Sequence, residues 1–298
     1  MVGQRERAIG SILGLAVGDA LGAPFEFRRS SQIPAPLPAF ELPWMGMPPG
    51  TWTDDTAMAR NLWVSLIEHR GALDLQDVRA RHRAWLETGP PDVGNQTALA
   101  LREQGAEPAR TVFDRRGPEV SAGNGSVMYC APLGVVRAAA PERLQDEAPG
   151  LSCLTHWDGR CRTACLVVTL AAAGLVRGEH PEHAVVSAVE AVVDRDGGEE
   201  LEHLVGEAGR SRQIDGPDQG FTLFTAGIAL QVTGEGRSFE DGLRYVVGLG
   251  GDTDTNAAVA GALLGAAHGT DGIPGGWLAH LASADRLWVE AEALASLV

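Results

Sequence analysis

The chain has 298 residues and a formal net charge of -15, from 24 basic and 39 acidic residues. Every basic residue is an arginine, which excludes mechanisms that need a catalytic, Schiff-base or phosphate-gripping lysine. The acidic balance argues against non-specific binding to nucleic acid or to an anionic membrane. Hydrophobic residues make up 44% of the chain and charged residues only 21%, so a large core can be buried.

The first predicted helix covers residues 5–21. Its apolar run follows Arg5 and Arg7, as in a signal peptide, but Asp19 comes directly after it and we interpret it as a buried helix. The proline-rich segment 33–50 is predicted to be a loop, as is segment 107–124. Further helices are predicted over 54–69, 75–86, 97–103, 126–139, 163–176, 182–193, 199–208, 221–232, 239–247, 253–267 and 284–297.

This order of elements predicts an all-α fold. No segment alternates like a strand, no repeat has a solenoid period, and no linker divides the chain. We therefore expect one compact domain over residues 1–298, an orthogonal bundle of about a dozen helices. No apolar run reaches the ~18 residues of a membrane span, and we expect a cytoplasmic monomer with no membrane partner.

The cysteines are too few for a disulfide scaffold in so long a chain. With His156 nearby they could suggest a zinc site, but no CxxC pair is present, and we predict reduced cysteines in the core. They are Cys130, Cys153, Cys161 and Cys165.

Two similar acidic motifs open predicted helices far apart in the chain, TWTDDT at 51–56 and GGDTDTN at 250–256. Each could be an ordinary helix cap with acids in the first turn. That interpretation does not explain why two such motifs occur. Together they offer an all-oxygen site that suits Mg²⁺, Mn²⁺ or Ca²⁺. A further acid, Glu26, lies between Phe25 and Phe27 and is either turned to solvent or held for use.

Seven collinear blocks make the sequence resemble the ADP-ribosylglycohydrolase family. The match runs from about residue 8 to 268 and is far more specific than any one motif. The blocks are GDALG through Glu26 at 18–26, WTDDT at 52–56, DVGNQT at 92–97, GNGSVM at 123–128, THWD at 155–158, GF at 220–221 and GGDTDT at 250–255.

The resemblance implies a hydrolase with two Mg²⁺ or Mn²⁺ ions in a dinuclear cleft. The bond cleaved would be the glycosidic bond at C1″ of an ADP-ribosyl group, through an oxocarbenium-like transition state. The implied metal ligands are Thr53, Asp54, Asp55, Asp252, Asp254 and Thr255. Glu26 would lie at the metal edge, and the candidate catalytic acids are Glu26, Asp55 and Asp254.

The resemblance also implies a diphosphate site at Gly123, Asn124, Gly125 and Ser126. A glycine-rich turn before a helix offers backbone N–H groups to an anion, although a plain turn and cap is the alternative. His156 would lie near the phosphates or the distal ribose, with Asp158 as a candidate to orient it. Phe221 stands where the family often carries a tyrosine stacked on adenine, so the stacking face is kept and the hydroxyl is lost.

Asp92 bears on the choice of substrate. Family members that act on ADP-ribosyl-arginine carry an acid in a matching loop, where it could pair with guanidinium. An Asx-turn before the next helix is the alternative. We expect a glycohydrolase of ADP-ribosyl-arginine, acting on an ADP-ribosylated protein or a small ADP-ribose derivative. Other ADP-ribose linkages (serine, nucleic acid, small esters) and a catalytically silent ADP-ribose-binding protein are the alternatives.

Overall fold

A pair of helices, α1 (Gln4–Gly22) and α13 (Thr253–His268), forms the centre of the computed structural model, which describes residues 2–206 and 213–298. Glycines at every fourth position of α1 face α13, so the two backbones touch. A Cβ added at Gly14 would lie 2.2 Å from the Gly261 carbonyl oxygen. One added at Gly10 would lie 2.4 Å from the Gly265 oxygen, and one at Gly22 2.3 Å from the Thr253 oxygen. This glycine seam sets the end of α1 beside the start of α13.

The other helices surround this pair and contribute to one hydrophobic core that draws on residues from Ala8 to Ala295. They are α2 (Asp54–Glu68), α3 (Leu75–Glu87), α4 (Asn95–Arg102), α5 (Pro108–Arg116), α6 (Ala131–Val136), α7 (Leu144–Ser152), α8 (Gly159–Val176), α9 (Pro181–Glu190), α10 (Gly198–Val205), α11 (Thr222–Gly234), α12 (Phe239–Gly248), α14 (Gly275–His280) and α15 (Ala284–Ala295). The prediction of an all-α domain is confirmed.

Two very short strands pair antiparallel, β1 (Arg28–Arg29) and β2 (Gly250–Gly251). The Phe27 N–H extends this pairing by donating to the Gly251 carbonyl oxygen at 2.8 Å. The chain that follows α1 is thereby tied to the chain that precedes α13. Gly250 and Gly251 have φ of 75° and 77°, a left-handed conformation that favours glycine.

Several predicted boundaries were wrong for identifiable reasons. Segment 107–124 was predicted to be a loop, but it contains α5, which begins with a proline and has too few apolar residues to show a period. The predicted helix 126–139 is instead a 3-10 turn (Val127–Tyr129) followed by α6. Helices α7, interrupted by Pro149, and α14 were not predicted. The last two residues of predicted helix 199–208 lie outside the described residues.

Two apolar segments among the described residues are long enough to cross a membrane by length and composition, Gln4–Phe25 and Gly159–Val176. The expectation that no run reaches this length was therefore wrong, because an isolated charge such as Asp19 leaves the mean hydropathy of the first segment at 1.5. Their apolar stretches are 94% and 78% buried inside the fold, as expected of core helices. The four cysteines are free, and Cys130, Cys161 and Cys165 are buried, as predicted.

Candidate active site

The two acidic motifs meet where α2 and α13 begin. Thr53 caps α2, since its hydroxyl accepts the Asp55 N–H at 3.3 Å, so the plain interpretation as a helix cap is correct for this residue. The same hydroxyl donates to Asp55 Oδ2 at 3.0 Å, and Thr255 Oγ1 donates to that oxygen at 3.4 Å. Asp55 therefore joins the first motif to the second.

Asp19, which was not among the predicted site residues, holds the first motif in place. Its buried carboxylate accepts the Thr53 N–H at 2.9 and 3.0 Å, the Thr56 N–H at 3.0 Å and the Thr56 hydroxyl at 2.5 Å. The detectable signal was a carboxylate inside an otherwise apolar helix, where an acid needs partners.

A second group of acids faces the first. Glu26, Asp252 and Asp254 each present a carboxylate oxygen within 4.8 Å of the others. Asn124 Nδ2 donates to Asp252 Oδ2 at 2.9 Å and to Thr225 Oγ1 at 3.0 Å, which fixes one carboxylate of the group. Glu26 is thus held in the cleft, and the alternative that it turns to solvent is not what the fold adopts.

Burial and mutual repulsion raise the pKa of these acids. The pKa of Glu26 rises to about 8 through burial and the nearby carboxylates of Asp92 and Asp252. The pKa of Asp54 rises to about 8 for the same kinds of reason. Burial raises the pKa of both Asp55 and Asp254 well above the usual range, and neighbouring acids add to it.

The donor set fits a divalent cation. Asp55 Oδ1 and Asp254 Oδ1 are buried and have no hydrogen-bond partner. Buried carboxylate oxygens that lack partners are costly unless a cation or proton satisfies them. Carboxylate and hydroxyl oxygens are ligands that hard cations such as Mg²⁺ and Mn²⁺ prefer. The six predicted ligands, Thr53, Asp54, Asp55, Asp252, Asp254 and Thr255, all belong to this oxygen-rich cluster, although Thr53 and Asp55 lie behind the cavity wall.

A cavity of about 240 Å³ opens above the cluster. The acids that line it, Glu26, Asp54, Asp92, Asp252 and Asp254, form what we call its acidic end, and its lining also includes Gly123, Asn124, Gly125 and His156. None of the described residues that line it is a lysine or an arginine. An anion bound here would therefore depend on backbone N–H groups and bound cations rather than on basic side chains.

The glycine loop, residues 123–125, has no room for a larger side chain at Gly125. A Cβ at Gly125 would lie 2.8 Å from both His156 Cε1 and Thr97 Oγ1. The Asn124 N–H donates to the Gly220 carbonyl oxygen and the Thr222 N–H to the Ala122 oxygen, each at 3.0 Å, so the loop is pinned to the start of α11.

Ser126 does not line the cavity. Its side chain is fully buried and accepts a hydrogen bond from Ser152 Oγ at 3.0 Å, so the part of Ser126 that could serve the predicted diphosphate site is its backbone. Ser126 follows the glycine loop directly and precedes the 3-10 turn that begins at Val127.

His156 is buried and neutral. Burial lowers the pKa of His156 to about 4, and its Nδ1 lies 2.9 Å from Thr155 Oγ1. Asp158, the predicted orienting residue, instead caps α8 by accepting the Arg160 N–H at 2.9 Å and pairs with the Arg160 guanidinium. The neighbouring threonine, not the aspartate, therefore orients the imidazole.

Phe221 lies outside this cavity, in an adjoining outer cavity of about 530 Å³. Arg160 lies over its ring at 5.6 Å from the centroid, and Phe224 contacts it edge-on at 5.0 Å. Gly123 lines both cavities, so the two adjoin at the glycine loop.

Asp92 is half-buried at the acidic end, and burial together with Asp252 raises its pKa. Helix α4 begins at Asn95 with Gly94 as its cap and no side-chain capping bond. Asp92 is therefore not the cap of this helix.

Comparisons with known proteins find similar sequences and a similar structure over most of this chain. A family model described as ADP-ribosylglycohydrolase matches residues 2–298. The ADP-ribosyl-[dinitrogen reductase] glycohydrolase of Rhodospirillum rubrum is 31% identical over 93% of this chain and 90% of its own length. The ADP-ribosylarginine hydrolase Tri1 of Serratia proteamaculans (strain 568) is 29% identical over 97% and 79%. A solved structure described as an ADP-ribosylglycohydrolase-related protein complex superposes with a TM-score of 0.79 at 31% identity, covering 100% of this chain and 99% of that one.

Proposed function

The chain belongs to the ADP-ribosylglycohydrolase family of enzymes, and from this membership we propose that it hydrolyses the C1″ bond of ADP-ribosyl-arginine in proteins. The observation that carries this choice of linkage is the half-buried carboxylate of Asp92, at the acidic end of a cavity whose described lining contains no lysine or arginine. Carboxylate and guanidinium match in a bidentate pair. Two relatives with 31% and 29% identity act, by their names, on ADP-ribosylated dinitrogen reductase and on ADP-ribosylarginine.

The two adjoining cavities support an extended substrate. Adenine would stack on Phe221 in the outer cavity, beside the Arg160 guanidinium. The diphosphate would lie along the backbone of the glycine loop, which borders both cavities. The distal ribose would then reach the acidic end, where Glu26 and Asp92 lie.

Two Mg²⁺ or Mn²⁺ ions are proposed as the cofactors. The residues that would hold them are Thr53, Asp54, Asp55, Asp252, Asp254 and Thr255, with Glu26 at the edge. When bound, these ions supply Lewis-acid chemistry and a fixed position for the ribose hydroxyls.

The chain's own residues account for the movement of protons. A water oxygen forms the new bond to C1″ while the bond from C1″ to the guanidino nitrogen breaks. The Glu26 carboxylate takes a proton from that water and passes it to the guanidino nitrogen, which leaves as part of a guanidinium paired to Asp92. Neutral His156 stays a hydrogen-bonding group near the phosphates, since burial keeps its pKa low.

The test is a panel of peptides that carry ADP-ribose on arginine or on serine. With Mg²⁺ or Mn²⁺ present, the wild-type protein should release ADP-ribose from the arginine peptide. Asp92→Asn should lower kcat/KM on that peptide by about 100-fold, because the guanidinium loses its charged partner. Asp114→Asn, an exposed change on α5, is the matched control. Cleavage of serine-linked ADP-ribose alone, or equal loss on both linkages, would contradict the assignment to arginine.

A further inference from the structure

A third cavity, of about 250 Å³, adjoins the acidic end of the active-site cavity. The two share Asp54 and Asp92 as lining residues. Its remaining walls are mostly apolar, and we call it the tryptophan cavity after its main lining residues, which are Trp44, Trp52, Trp85, Met47, Pro90 and Pro91.

The walls of the tryptophan cavity are held by the fold itself. The Trp52 indole N–H donates to the Ala282 carbonyl oxygen at 3.0 Å. Trp44 and Met47 pair across a tight turn, with N–H to carbonyl distances of 3.2 and 2.7 Å, and Trp44 is 5% exposed. A cavity whose aromatic walls are already fixed loses little conformational entropy when a ligand enters.

The charged residues that line the tryptophan cavity are acidic. Asp54 and Asp92 are its charged lining residues, and no described residue that lines it is basic. Indole faces attract cations, and the attraction is strengthened when the cation is partly desolvated. A ligand with an apolar stem and a cationic head therefore matches it better than a neutral or anionic one.

The position of the tryptophan cavity relative to the substrate selects its occupant. The glycine loop, where the diphosphate would lie, borders the active-site cavity but does not line the tryptophan cavity. The tryptophan cavity meets the first cavity at Asp92, the residue proposed to hold the leaving group. The group on the other side of C1″ from the diphosphate is the leaving group, so its stem has this cavity beside it.

We propose that the tryptophan cavity binds the alkyl stem of the leaving alkylguanidinium, whose cationic head pairs with Asp92. This inference rests on the proposed function, because it takes the leaving group to be an arginine side chain. The cavity then recognises both parts of that side chain, its charge and its methylene groups.

The experiment measures binding rather than turnover, with butylguanidinium as the probe and butylurea as its uncharged counterpart. Calorimetry with the Mg²⁺-loaded protein should show butylguanidinium binding at least about tenfold more tightly than butylurea. Trp85→Ala should weaken butylguanidinium about tenfold and leave the affinity for ADP-ribose within about twofold. Trp288→Ala, a partly exposed tryptophan on α15, is the matched control and should change neither affinity.

A second variant guards against a folding defect. Met47→Arg places a positive charge in the cavity and should abolish butylguanidinium binding while ADP-ribose still binds, which shows that the variant is folded. Equal affinities for butylguanidinium and butylurea, or unchanged butylguanidinium affinity in both cavity variants, would overturn the inference. Failure of the wild-type protein to cleave the arginine-linked peptide overturns the proposed function instead, and the two failures are seen in separate measurements.

Discussion

Both carboxylate oxygens of Asp19 accept the backbone N–H of Thr53, at 2.9 and 3.0 Å. A residue near the end of α1 thereby fixes the first turn of α2, where the first acidic motif begins. The second motif is fixed to the same end of α1 through the glycine seam and the pairing of β1 with β2. Helix α1 is thus the reference against which both halves of the proposed metal site are placed.

Asp19→Asn should weaken both the fold and the metal site. An asparagine has one acceptor oxygen, and its NH₂ group would face the N–H groups of Thr53 or Thr56. We expect a loss of about 2–3 kcal/mol in the free energy of unfolding, and at least tenfold weaker Mn²⁺ binding in the folded protein. Urea denaturation and Mn²⁺ titration by electron paramagnetic resonance measure these effects. Asp271→Asn, on the surface, is the control. Wild-type Mn²⁺ affinity in a folded Asp19→Asn protein would contradict the positioning role.

Gly14→Ala should be strongly destabilising although it adds one methyl group. The new Cβ would lie 2.2 Å from the Gly261 carbonyl oxygen, which is backbone and cannot rotate away. The two helices must separate, at a cost of about 3 kcal/mol or more in the free energy of unfolding. Gly275→Ala is the matched control, since no atom lies within 4 Å of its added Cβ. Thermal denaturation of both variants tests the seam, and an unchanged midpoint for Gly14→Ala would show that the helices are not in backbone contact.

Asp254→Asn should stabilise the protein in EDTA while removing its response to metal. The wild-type carboxylate is buried beside Asp252 and Asp55, and its Oδ1 has no partner. An amide does not ionise, so it removes the cost of holding one more acid in the buried cluster, and it can donate to a neighbouring carboxylate. Without metal, we expect the free energy of unfolding to increase by about 1 kcal/mol. In thermal denaturation, Mn²⁺ should no longer raise the unfolding midpoint of the variant, and the variant should no longer hydrolyse substrate. A variant less stable than wild type in EDTA would argue against repulsion within the cluster.

His82 gives a pH dependence that is independent of the site. It is fully buried, its Nδ1 lies 3.2 Å from Asn61 Nδ2, and burial together with Arg79 lowers its pKa from 6.5 to about 3. Below pH 6.5 the imidazole binds a proton in the unfolded chain but not in the native state. The free energy of unfolding therefore decreases as the pH is lowered. Relative to His82→Phe, the wild-type free energy of unfolding should decrease by about 1.4 kcal/mol per pH unit between pH 6 and 4.

The control for this measurement is His180→Phe, because His180 is exposed. Its stability should run parallel to that of the wild type as the pH changes. Parallel curves for the wild type and His82→Phe would mean that His82 is protonated in the native state. Resonances of the His82 ring nitrogens report its protonation state directly and should remain those of a neutral imidazole at pH 4.5.

Local sequence patterns were enough to predict the long buried helices and the acids of the site. Helices α1 and α13 are apolar over several turns, and TWTDDT and GGDTDT are unusual enough to be recognised in isolation. Their meeting was inferred from the repetition of the motif and from a family resemblance, and its physical cause is the glycine seam. That cause was visible as glycine at every fourth residue of α1, a spacing that places residues 10, 14, 18 and 22 on one face.

Other features depend on contacts that local patterns do not contain. Helix α5 buries few side chains, and α7 carries a proline, so neither gives a periodic signal. The tryptophan cavity takes Trp44 from a loop, Trp52 from the approach to α2 and Trp85 from α3. The burial of the Ser126 hydroxyl likewise depends on a contact with Ser152, which lies at the end of helix α7.

The glycine seam also bears on ion size. Because α1 and α13 touch through their backbones, no layer of side chains between them can yield to a larger ion. Glu26, which follows α1, and Asp252 and Asp254, at the start of α13, are therefore held at a nearly constant separation. Mg²⁺ takes oxygen ligands at about 2.1 Å, whereas Ca²⁺ needs more of them at about 2.3–2.6 Å. A site with ligands held this rigidly should bind Mg²⁺ and Mn²⁺ more tightly than the larger Ca²⁺.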